Sequence, residues 1–317
     1  MENIFNDRQN PDSVIVLLHK ISQERKGNNQ IVSNFGVLPP NLLLEPMLRN
    51  WLLEDIGRGD RTTQSLLANP KEGQAQWVAK APGVIAGLPI AARVFQLLNE
   101  KVSFVPIVPE GAWCQPKEVI AEIYGSLDAL LLGERVALNI VMRLSGIATL
   151  TRKYVEQIED LPTHLVDTRK TTPGLRILEK YATQVGGAIN HRMGLDDAVM
   201  IKDNHIAAAG GIEAAIARIR SQIPYPLTIE VETETIHQVQ EALQHKADII
   251  MLDNMSLDLM REAVHVIRQQ DNRVKIEASG NISLETIRAV AETGVDYISS
   301  SAPITQSKWL DLSMNIH

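Results

Sequence analysis

The run Leu227-Thr228-Ile229-Glu230-Val231-Glu232, a helical pattern over residues 235–245 and the run Asp248-Ile249-Ile250-Met251-Leu252-Asp253 decide the fold. Two short apolar or β-branched runs flank one amphipathic stretch, and a strand–helix–strand unit of this length brings its strands together in parallel. The unit recurs in both directions. Further strand-like runs stand at residues 164–167, 198–202, 274–279 and 295–300, with helical patterns at 212–223, 257–269 and 284–293. The six runs end on Asp167, Lys202, Glu232, Asp253, Ser279 and Ser300. A parallel α/β barrel builds its active site from residues at the C-terminal ends of its strands. Helix capping explains Asp or Ser at such a place, but it accounts poorly for Lys202 and Glu232. Six strands fall short of the eight of a closed barrel.

The first half reads as a mixed α/β unit without a regular repeat. Apolar residues at helical spacing predict a helix over residues 42–56. Strands are predicted over 74–88, 102–108 and 118–124, with a helix over 89–100. A long helical pattern covers 126–159, with a break expected near Ser145-Gly146. Residues 1–36 are polar and rich in Asn and Gln, and are read as a poorly ordered extension.

Composition narrows the function. The chain has 317 residues, 44% of them hydrophobic and 22% charged, which suits an ordinary globular protein. Its 31 Lys and Arg against 38 Asp and Glu give a net charge of −7, the opposite of a general nucleic-acid binder. The single cysteine, Cys114, excludes an internal disulfide framework and a multi-cysteine metal cluster. Apolar runs are too short to cross a bilayer, and Glu2 and Asp7 stand where a secretion signal would be basic, so a cytoplasmic protein is expected.

Chemistry concentrates between Asp167 and His205. This window holds Arg169, Lys170, Arg176, Lys180, Arg192 and Lys202 against five acidic residues, together with His191 and His205. Two like charges about 4 Å apart repel by roughly 4 kcal/mol at an effective dielectric near 20. If Arg169, Lys170, Arg192 and Lys202 share one barrel mouth, an anionic ligand is the simplest counter-charge, carrying carboxylates, phosphates or both. Arg176 and Lys180, four apart on a helix, are read as solvated. Glu232 and Asp253 suit a magnesium ion or sugar hydroxyls, or else they neutralise the lysines. Ser279-Gly280-Asn281 and Ser299-Ser300-Ser301 follow late strands, where small residues let backbone N–H groups approach a phosphate. Arg135, taken alone, reads as a surface residue.

These motifs resemble, in order and from about Leu38 onward, the quinolinate phosphoribosyltransferases, also called nicotinate-nucleotide pyrophosphorylases (carboxylating). The resemblance rests on residues 54–57 and 60–63, Gly133-Glu134-Arg135-Val136-Ala137-Leu138-Asn139, residues 144–149, 167–174 and 190–195, Lys202-Asp203-Asn204-His205, Glu230-Val231-Glu232, residues 252–255 and Ser279-Gly280-Asn281. It implies an N-terminal α/β sandwich domain, residues 37–140 with 303–317 returning to it, and an incomplete TIM-like α/β barrel over 141–302. The implied reaction joins quinolinate to 5-phosphoribosyl-1-pyrophosphate with magnesium, giving nicotinate mononucleotide, pyrophosphate and carbon dioxide.

The resemblance also implies site roles. Arg135 from a neighbouring subunit of a homodimer or larger oligomer, with Arg169, His191 and Arg192, would bind the dicarboxylate, and Thr168 would be a further substrate-binding residue. Lys170 and Lys202 would bridge it to the pyrophosphate. Glu232 and Asp253 would serve ribose and magnesium, and Ser279–Asn281 with Ser299–Ser301 would take the 5-phosphate. Many relatives carry glycine where Ser301 stands and histidine where Thr305 stands. Another pyridine acid as acceptor, a Schiff base on Lys170 or Lys202, and a non-enzymatic binder of a phosphorylated metabolite remain the alternatives.

Overall fold

The computed structural model describes residues 38–317 apart from 68 and 70, so the N-terminal extension lies outside the described residues. In chain order the strands are β1 (Glu72–Ala79), β2 (Gly83–Val84), β3 (Ser103–Pro106), β4 (Trp113–Cys114), β5 (Val119–Ser126), β6 (His164–Val166), β7 (Val199–Ile201), β8 (Ile229–Thr233), β9 (Ile249–Asp253), β10 (Lys275–Ser279), β11 (Tyr297–Ser299) and β12 (Leu312–Ile316).

The first layer is the antiparallel sheet β12-β1-β5-β3, with β2 and β4 as a separate pair. Alternation in β1 sends Ala75, Trp77 and Ala79 into the core. There Trp77, Phe95 and Phe104 meet with ring centroids 5.4–6.2 Å apart, a spacing favoured by aromatic pairs. Where one strand was expected over 74–88, the chain breaks into β1 and β2, because Lys80-Ala81-Pro82 interposes a bend.

The expected break at Ser145-Gly146 is absent. Leu127–Glu156 is one continuous helix. A Cβ on Gly146 would stand 2.0 Å from the Lys308 carbonyl oxygen, so glycine lets a second segment pack against the helix. Ser145 Oγ accepts the Ala86 N–H at 2.9 Å. The pair marks a close approach.

The second layer is a parallel sheet in the order β6-β11-β10-β9-β8-β7. Strands β7 to β11 follow one another, and β11 then pairs with β6, so the sheet is a barrel left open between β6 and β7. Strand β9 is nearly all apolar, as a sheet covered on both faces requires, whereas β8 buries Glu230 between Ile229 and Val231. Ile189 bridges to Val166 on the free side of β6. The segment between β6 and β7 carries the helix Arg176–Gly186, and its loops bear Arg169, Lys170, His191 and Arg192. Among the described residues, no helix is long and apolar enough to cross a membrane.

Candidate active site

A cavity of about 730 Å³ opens at the C-terminal ends of the parallel strands. Thr168, Arg169, Lys170, His191, Arg192, Lys202, Glu232, Asp253, Ser279, Gly280, Asn281, Ser299, Ser300 and Ser301 all line it. Arg135 does not. It is exposed on the helix Leu127–Glu156 and lines a second cavity of about 620 Å³ with Asn139, Arg143, Trp51 and Trp309.

The wall of the first cavity carries four cations, Arg169, Lys170, Arg192 and Lys202, together with the carboxylates Glu232, Asp253 and Glu277. Burial and the nearby Arg169 guanidinium both lower the Arg192 pKa from its ordinary value, as expected for two cations with no anion between them. Among the described residues the Arg169 Nε is buried without a hydrogen-bond partner, and a buried unpaired donor is costly.

His191 sits behind this wall. Its Nε2 lies 3.2 Å from Glu230 Oε2 and 3.5 Å from Glu277 Oε2. Burial alone would lower its pKa, but hydrogen bonding and attraction from the two carboxylates raise it to about 10. The Arg192 N–H, 2.7 Å from Nδ1, favours a neutral ring. Burial raises the Glu230 carboxyl as well, so His191 and the two carboxylates share their protons as one cluster. The arrangement could also ligate a metal ion in geometric terms, but the proton balances the facing carboxylates without one. Neither Glu230 nor Glu277 was among the expected site residues. Period-two alternation was the available signal: Glu230 and Glu277 lie two residues before Glu232 and Ser279 and share their faces.

Lys202 pairs with Glu232 across neighbouring strands. Asp253 accepts from Asn254 Nδ2 at 2.7 Å. The other oxygen of each carboxylate meets no protein donor among the described residues, which leaves it for a hydroxyl or a hydrated cation. Asn254 and Asn281 adopt positive φ, 53° and 51°, beside Gly280 at 96°. A Cβ on Gly280 would lie 2.1 Å from Asn254 Oδ1, so this corner is tight enough to need glycine.

Two cations read as solvated are not. Lys180 is completely buried and pairs with Asp167, because Asp167 also collects Thr183 Oγ1, Asn190 Nδ2 and the His191 N–H and so needs a counter-charge. Arg176 is half-buried and bonded to three loop atoms. Asp167 is thus an internal brace and does not line the cavity.

An open parallel barrel with a cationic mouth and a carboxylate pair defines an enzyme of the α/β-barrel class acting on an anionic substrate. Residues 60–145 match the N-terminal domain of quinolinate phosphoribosyl transferase and residues 147–315 its C-terminal domain. The chain is 60% identical to the probable nicotinate-nucleotide pyrophosphorylase (carboxylating) of Synechocystis sp., covering 88% of this chain and 94% of the relative. It is 46% identical to the protein of that name from Bacillus subtilis, over 87% and 94%. The crystal structure of NadC from Streptococcus pyogenes superposes with a TM-score of 0.85 at 40% identity, covering 89% of this chain and 99% of that one. The chain belongs to the quinolinate phosphoribosyltransferase family.

Proposed function

We propose that this protein transfers the phosphoribosyl group of 5-phosphoribosyl-1-pyrophosphate to quinolinate and releases carbon dioxide, forming nicotinate mononucleotide for NAD biosynthesis. The observation that carries this reading is the pair of guanidinium groups, Arg169 and Arg192, lining the cavity with His191, whose pKa is raised to about 10. Such a wall suits a small planar acid with two carboxylates. Lys170 and Lys202 serve the pyrophosphate side, and the loops at Ser279–Asn281 and Ser299–Ser301 receive the 5-phosphate.

The quinolinate nitrogen lone pair forms a bond to C1 of the ribose as the C1–O bond to pyrophosphate breaks, and pyrophosphate leaves with that pair. Carboxylates of Glu232 and Asp253 face the positive charge that develops at C1. Magnesium enters as part of the pyrophosphate substrate, and the unpartnered oxygens of Glu232 and Asp253 fit its hydrated shell or the ribose hydroxyls. The ribosylated nitrogen is then cationic. The C–C bond to the adjacent carboxylate breaks, its electron pair stays at C2 beside that cation, and a proton replaces carbon dioxide. No covalent protein nucleophile is required, so positioning and fixed charge supply the catalysis.

Arg135 lies outside its own cavity. In a homodimer or larger homo-oligomer it would complete the neighbouring subunit's dicarboxylate site. A turnover assay with quinolinate, 5-phosphoribosyl-1-pyrophosphate and magnesium, run in parallel with nicotinate, tests the reading. Nicotinate mononucleotide from quinolinate alone is expected. Product from nicotinate alone would assign a different acceptor, and product from neither would overturn the transferase reading.

A further inference from the structure

The two arginines of the acid-binding wall reach the cavity from separate loops, and their like charges push those loops apart when no anion lies between them. One side chain spans both. Arg176, at the first position of the helix Arg176–Gly186, does not line the cavity. Its Nε donates to Thr171 Oγ1 at 3.0 Å and its Nη2 to the Arg169 carbonyl at 3.5 Å, while its Nη1 donates to the Met193 carbonyl at 3.1 Å. One planar fork therefore ties the loop of Arg169 to the loop of Arg192. A lysine, with a single nitrogen, could not hold both.

The same helix reinforces the tie. Glu179, fully buried, accepts the Thr172 N–H at 2.8 Å and Thr172 Oγ1 at 2.9 Å. Lys180 Nζ lies 3.3 Å from the Arg192 carbonyl. Arg176 holds the mouth side of this frame, next to both guanidinium-bearing residues.

The geometry points to Arg176 as the positioning residue that sets the spacing of Arg169 and Arg192, and through it the preference for a pyridine dicarboxylate over a monocarboxylate. This rests on the reaction proposed above. A bidentate site gains over a one-carboxylate ligand only while both forks meet both carboxylates. Loosening one loop therefore removes more affinity from the dicarboxylate than from the monocarboxylate.

The test compares the wild type with Arg176→Met, which keeps the aliphatic stem, and Arg176→Lys, which keeps the charge. Steady-state constants for quinolinate and for 5-phosphoribosyl-1-pyrophosphate are measured, together with competitive inhibition by a pyridine dicarboxylate and by nicotinate. Both variants are expected to raise the quinolinate KM about tenfold and the phosphoribosyl pyrophosphate KM less than about twofold. The dicarboxylate-to-monocarboxylate inhibition ratio should fall by a similar factor. Should Arg176→Met fail to fold, Thr171→Val removes one tie without touching any charge, and about a threefold shift in the same ratio is expected. Equal rises in both KM values, or an unchanged ratio, would overturn the assignment. A wild type that does not turn over quinolinate would overturn the parent reaction, and this inference with it.

Discussion

His191 Nε2 stands 3.2 Å from Glu230 Oε2, and the Glu277 carboxylate closes on the same nitrogen from a second strand. Two buried carboxylates on strands β8 and β10 would repel each other without a proton between them, and burial raises the Glu230 carboxyl, so the cluster keeps a proton beneath the acid-binding wall. Folding raises the His191 pKa from 6.5 to about 10. A group raised on folding contributes stability fully below its unfolded value and loses that contribution as the pH climbs through its folded value. His191 therefore helps hold the loop together up to about pH 6.5 without loss, and lets go progressively toward pH 10. Nitrogen NMR of the imidazole across this range should place its titration well above 6.5; a ring that titrates near 6.5 would refute this.

Arg169→Ala should weaken quinolinate binding far more than it perturbs folding, since the lost group faces the cavity with its Nε unpaired. Losing one partner of a charge-assisted pair costs about 2–5 kcal/mol of binding. Thermal melting and quinolinate saturation curves check the two halves of this expectation. An unchanged KM and rate would remove Arg169 from the site.

The brace beneath the wall behaves differently. Lys180 and Asp167 are both fully buried, so Lys180→Met leaves Asp167 charged and uncompensated. Breaking one side of such a pair costs about 3–5 kcal/mol. Urea unfolding should register that loss, and a change below about 1 kcal/mol would mean that Thr183 and Asn190 suffice for Asp167.

Shared sites are tested by complementation. Subunits carrying Arg135→Ala are mixed with subunits carrying Lys202→Ala, each expected to be nearly inactive alone. Mixed oligomers should regain part of the activity, because one of the site types then receives an intact Lys202 and an intact neighbouring Arg135. Confirmed mixed oligomers without activity would argue against a contribution across subunits.

Gly146→Ala sets two magnitudes against each other. Helix propensity favours alanine by about 1 kcal/mol, yet the new Cβ would stand 2.0 Å from the Lys308 oxygen, which is backbone and cannot turn aside. Overpacking of this kind costs about 1–3 kcal/mol, so net destabilisation is expected. A variant with an unchanged or raised melting temperature would show that the segment at Lys308 yields freely.

The parallel half of the fold was legible because each strand is a short apolar run and each connection a clear amphipathic helix. The cavity residues were legible for a related reason: strand ends expose what buried runs cannot hold, so Lys202, Glu232 and Asp253 stood out. The same logic failed where polar groups are buried in pairs. Lys180 has the spacing of a solvated helix residue, and only the fold brings Asp167 against it. Arg176 was misread likewise, because its partners are loop carbonyls that carry no sequence signature. Ser145-Gly146 looked like a helix break since local propensity cannot register the Lys308 backbone pressing on that face.

Strand β12 lies antiparallel against β1, with Ala75 opposite Ile316 and Ala79 opposite Leu312. On the ribosome, β1 emerges early and its neighbour only after all six barrel strands. Until then one whole side of β1 offers unpaired amide and carbonyl groups to any passing strand. Completion of the first sheet must await the synthesis of β12, which makes this a slow, long-range closure. Removing or blocking β12 would leave a chain whose barrel can form but whose oldest strand stays adhesive, and its fate would be decided by aggregation kinetics before chemistry.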